Sequence, residues 1–75
     1  GRICGERDKM VGFLKRRYAE TPHAMGVTSS GRSVMEIYTS EKGSWTVLMT
    51  TAKGITCIMG AGKDFQLASP KDDGA

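Results

Sequence analysis

GSWTVLMTTAKGITCIMG, residues 43–60, decides how this chain folds. It holds the only Trp and one of two Cys residues, with an apolar run on each side of a Lys-Gly. From Ser44 to Thr51, Trp45, Val47 and Met49 alternate with Thr46, Leu48 and Thr50, the period of a strand with one face buried. Ile55 to Met59 returns with Ile55, Cys57 and Met59 on one face. Ala52-Lys53-Gly54 between the runs is a turn, which makes the stretch a hairpin.

The same logic extends upstream. Ser33 to Ser40, SVMEIYTS, reads as a strand with Met35 and Ile37 on one face and Glu36 on the other. Glu41-Lys42-Gly43 turns the chain into Ser44. A short strand near Met25 to Thr28 is followed by a turn at Ser29-Ser30-Gly31. Connections this short make neighbouring strands antiparallel.

Residues 6–20, ERDKMVGFLKRRYAE, read as a helix. Val11, Leu14 and Tyr18 recur at spacings of three and four, and Met10 and Phe13 widen the stripe. Glu6 and Asp8 open the helix and Lys15, Arg16 and Arg17 close it, in accord with its dipole. Gly12 costs about 1 kcal/mol against Ala. Pro22 stops the helix and pushes Thr21 toward extended geometry. The expected fold is therefore α+β, one N-terminal amphipathic helix packed on a three- or four-stranded antiparallel meander. The helix should cover the sheet face bearing Trp45, Val47, Met49, Cys57 and Met59, with Val11, Leu14 and Tyr18 contributing to the same core. That leaves Tyr38, Thr46 and Leu48 on the face away from the helix. Residues 1–66 form a single domain, and 67–75, a stretch without periodicity, a flexible tail.

Seventy-five residues make one small domain whose core needs a staple. The even cysteine count fits an oxidised pair, Cys4 with Cys57, joining the helix start to the last strand. Two free buried thiols, or a reactive or metal-binding pair, are the other readings. The wide spacing is not a CxxC, and no second ligand cluster accompanies it. A chain opening on Gly-Arg-Ile-Cys fits a mature form left after signal-peptide removal, and a tag scar fits as well. No segment is apolar enough to span a bilayer.

Chemistry-bearing motifs are sparse. His23 is the only histidine; it follows Pro22 in an expected loop and lacks the partners of a triad or a metal site. Gly60-Ala61-Gly62-Lys63 resembles the end of a phosphate loop, but its upstream glycine is misplaced and Asp64 replaces the Ser or Thr, so it reads as a turn. The five Met residues are dispersed as core fillers. No catalytic residue, cofactor or metal is expected, and the chain does not read as an enzyme. The net charge of +3 is below what a dedicated nucleic-acid binder shows. Arg7, Lys9, Lys15, Arg16 and Arg17 could still contact phosphates or anionic headgroups.

Several pieces in order resemble a group of small, uncharacterised exported proteins of alphaproteobacteria. They are Cys4, the helix through Tyr18-Ala19-Glu20-Thr21, Val34-Met35-Glu36-Ile37-Tyr38, Gly43-Ser44-Trp45-Thr46 and Gly54-Ile55-Thr56-Cys57. The match spans roughly residues 4–65. It implies a removed signal peptide, a periplasmic or secreted location and a disulfide, and it implies no activity. The expected role is a non-enzymatic protein-interaction domain or accessory subunit, a monomer or small oligomer with strand edges open to pairing. The alternative is a polyanion-binding module using the basic helix face.

Overall fold

The computed structural model describes residues 2–68. Its elements in chain order are β1 (Cys4–Glu6), α1 (Arg7–Tyr18), β2 (Thr21–Val27), β3 (Ser33–Thr39), β4 (Trp45–Thr51) and β5 (Ile55–Gly62). The strands form one antiparallel sheet in the order β1-β5-β4-β3-β2. The α+β meander expected from the sequence is present, with a correction at each end of the count. Among the described residues there are five strands rather than three or four, and β1 precedes the helix. β1 escapes sequence reading because Cys-Gly-Glu has no apolar alternation. It is held by its pairing with β5 and by the covalent bond between Cys4 and Cys57, which face each other across the ladder with Cα atoms 4.0 Å apart.

The three turns sit where the glycines place them. Gly31, Gly43 and Gly54 have φ of 74°, 95° and 86°, and each donates its N–H to the carbonyl three residues back, on Thr28, Ser40 and Thr51. The left-handed conformation at the end of such a turn is open to glycine without a side-chain penalty. The helix stop is different from the one expected. Ala19 turns left-handed, φ 56°, and Ala19 and Glu20 donate to the carbonyls of Lys15 and Leu14. Pro22 lies inside β2 instead, on an edge strand where a missing N–H is tolerated, beside a bulge between Pro22 and Ala24.

The largest correction concerns the faces. Strand pairing aligns Glu36 with Leu48 and Tyr38 with Thr46, and Thr50 with Thr56. These residues are buried, and the helix packs on their face through Met10 and Leu14, which join Tyr38 and Leu48 in the core with Val11 and Ile58 at its margin. Trp45, Val47 and Met49 therefore point away from the helix, half-buried among their sheet neighbours. Tyr18 is 49% exposed and stacks edge-on with Phe13 instead of entering the core, and Met59 is also exposed. β5 continues through Gly60, Ala61 and Gly62, so the expected turn there is strand. Of the expected tail, residues 69–75 lie outside the described residues.

Candidate interaction surfaces

The face beneath the helix is polar for a core, and hydrogen bonds complete it. Arg7, the first helical residue, reaches across the sheet to Glu36, with Nε 3.1 Å from Oε1 and Nη2 2.7 Å from Oε2. The Tyr38 hydroxyl donates to Glu36 Oε2 at 3.2 Å and accepts from Arg7 Nη2 at 3.3 Å. The hydrogen bonds from Arg7, aided by its charge, hold the Glu36 carboxyl below its ordinary range despite burial. Burial, with the charge of Glu36, pushes the Tyr38 phenol up. The Thr46 hydroxyl donates to the buried Glu20 carboxylate at 2.7 Å, and the hydroxyls of Thr50 and Thr56 share a bond of 2.6 Å. Among the described residues no buried side-chain polar atom lacks a partner, so this constellation is structural.

The opposite face is the apolar one. Met35 pairs with Met49, Ile37 with Val47, and Thr39 with Trp45; Met49 in turn faces Cys57 on β5. Among the described residues no helix or strand lies over this surface. At one end Trp45 lies across the glycines of β5. Its indole donates to the Lys63 carbonyl at 3.1 Å, and a Cβ on Gly62 would sit 2.9 Å from the ring. The close approach explains Gly60-Ala61-Gly62: the glycines admit an indole, not a phosphate. Phe65 follows, bonded through its N–H to the Gly43 carbonyl at 2.8 Å, its ring 5.2 Å from that of His23. His23 is exposed on β2 rather than in a loop.

The five basic residues singled out from sequence do not act together. Arg7 is bound to Glu36, while Lys9 and Lys15 are exposed on the helix. Arg16 and Arg17 line a cleft of about 730 Å³ between the helix end and the β3–β4 turn, together with Glu41, Lys42, and Ser40 and Ser44, whose hydroxyls bond each other at 2.8 Å. Lys42 is a residue that sequence reading missed, because only the fold brings the turn to the helix end. Among the described residues no three His, Cys, Asp or Glu side chains could hold a metal ion, and no helix is long and apolar enough to cross a membrane. Together the fold and surfaces define a disulfide-stapled α+β domain of one helix on an antiparallel sheet. Compared with known proteins, the chain matches no family model, no curated protein and no solved structure.

Proposed function

We propose that the chain is a non-enzymatic protein-interaction domain or accessory subunit of the periplasm or the secreted space, and that its contact surface is the sheet face opposite the helix. One observation carries this reading. The residues with the strongest apolar alternation, Met35, Ile37, Trp45, Val47 and Met49, turn away from α1, while threonines, a tyrosine and a glutamate fill the space beneath it. A contiguous apolar face left open on a small domain marks an interaction surface. The partner is a protein presenting an apolar surface of its own, since the centre of the face carries no charge to recognise one. The Cys4–Cys57 bond is consistent with an oxidising compartment. The cleft of Arg16, Arg17 and Lys42, three cations against the one carboxylate of Glu41, supports a second reading, recognition of an anionic ligand by charge.

Comparing variants of the two surfaces separates these readings. Val47→Lys on the open face should abolish recovery of a partner that the wild type retains from periplasm, with the circular dichroism of the domain unchanged. Arg16→Glu should leave recovery intact. Loss with Arg16→Glu alone, or release by moderate salt, would transfer the function to the basic cleft.

A further inference from the structure

The two edges of the sheet differ. Ile58 donates to the Ile3 carbonyl and Arg7 to that of Gly54. In an antiparallel ladder these residues and those two apart from them point inward. The outer edge of β1 therefore offers only Cys4 and Glu6, and the Glu6 carbonyl already enters the helix as its N-cap. β2 is longer and open. Thr28 donates to the Ser33 carbonyl, so Gly26 and Ala24 point toward β3. The N–H and C=O groups of Met25 and Val27 then point away from the sheet. The two residues are 64% and 63% exposed.

Edge strands are commonly blunted by charged side chains, proline or a bulge. β2 carries Pro22 and a bulge at its first half only. From Ala24 to Thr28, AMGVT, nothing blocks pairing, and no residue from Thr21 to Thr28 has a formal charge at neutral pH with His23 neutral. We infer that β2 pairs antiparallel with β2 of a second copy of this chain, joining two sheets into one. The register centres on Gly26. Met25 then faces Val27 of the second copy and Val27 its Met25, two hydrogen-bonded pairs that each exchange both main-chain bonds. The apolar side chains meet across the axis on the helix side of the sheet, and on the opposite face a Cβ at Gly26 would find no atom within 4 Å. The strand is self-complementary about Gly26, Met25 meeting Val27 on both sides of the axis, and its lack of charge admits a copy of itself as occupant. About a two-fold axis a charged edge meets its own charge in a molecule of net charge +3, and this edge has none to repel. The interface also makes the open apolar faces of the two copies continuous, although it does not depend on their having a partner.

Sedimentation velocity and amide hydrogen exchange on the intact, oxidised protein test the pairing. The wild type should be a dimer at the concentrations NMR requires. The amides of Met25 and Val27 should exchange at least about tenfold more slowly there than on dilution. Gly26, bonded within the sheet, should be protected throughout. Val27→Pro removes an outward N–H and no internal ladder bond, so it should give a folded monomer, and Met25→Lys should do the same by introducing an edge charge. A wild type that stays monomeric, a dimer that survives both variants, or dimer amides at Met25 and Val27 that exchange unprotected would overturn the inference. A dimer lost with Val47→Lys but kept with Val27→Pro would assign self-association to the open face instead.

Discussion

Glu36 shows how one residue can carry opposite meanings in sequence and structure. Between Met35 and Ile37 it reads as the solvent side of a strand, because a carboxylate in an apolar alternation ordinarily faces water. It is buried because Arg7, twenty-nine residues earlier, supplies two hydrogen bonds and Tyr38 a third. Nothing local announces that partnership. Its consequence is a pH dependence of definite sign. The folded carboxyl ionises below its unfolded counterpart, so its contribution is complete above the unfolded value of about 4.3 and fades as pH falls through the folded one. The Tyr38 phenol is shifted upward, so its neutral form supports the fold below about pH 10 and that support fades as pH rises. Glu36→Gln should therefore flatten the acid limb of a guanidinium-unfolding profile and cost about 2 kcal/mol at neutral pH. That magnitude is below the 3–5 kcal/mol typical of breaking a fully buried pair, because the Arg7 side chain is 41% exposed against 9% for Glu36 and water screens it. Equal acid limbs in the two proteins would remove the network from the account of stability.

At the scale of elements, what was legible follows from how local each cause is. All three turns could be read because a glycine in the left-handed region is a signal carried by one residue. Of the four longer strands, β3, β4 and β5 could be read because their alternation needs only neighbours, whereas β2 shows only its second half, near Met25, in the sequence. β1 could not, since three residues without alternation are fixed by the disulfide and by pairing with β5, both formed at long range. Pro22, a strong breaker, predicts the helix stop, while the chain turns at Ala19, which carries no stop signal. A non-glycine residue in the left-handed region costs roughly 1–2 kcal/mol. Replacing it with glycine recovers that, less the roughly 0.5–1 kcal/mol lost to a more flexible unfolded chain. Ala19→Gly should accordingly stabilise the domain by about 0.5–1 kcal/mol, seen as a melting temperature higher by about 4 °C. A lower melting temperature would mean that the Ala19 methyl, not the backbone, governs this helix end.

For the whole molecule, the hydrophobic pattern identified which strand residues share a face but not which way that face looks. Alternation is blind to the difference between a covered and an uncovered face, and hydrogen bonding let polar residues occupy the covered side. A helix burying little more than Met10 and Leu14 leaves a small core, so the covalent bond matters more here than in a larger domain. Cys4 and Cys57 are 53 residues apart, and closing a loop of that length in the unfolded chain corresponds to about 4 kcal/mol in the chain-entropy model. A domain of this size has about 4–11 kcal/mol in total. The bond also holds β1, the strand that leads directly into the helix. The double variant Cys4→Ser, Cys57→Ser should thus lose about 4 kcal/mol in guanidinium unfolding. Its denaturant dependence should steepen, because the unfolded chain without the bond exposes more surface. Reducing the wild type should reproduce the shift, whereas in the serine variant reductant should change nothing. If the variant stayed within about 1 kcal/mol of the oxidised wild type, the packing of Met10, Leu14, Tyr38 and Leu48 would be sufficient by itself to hold the fold.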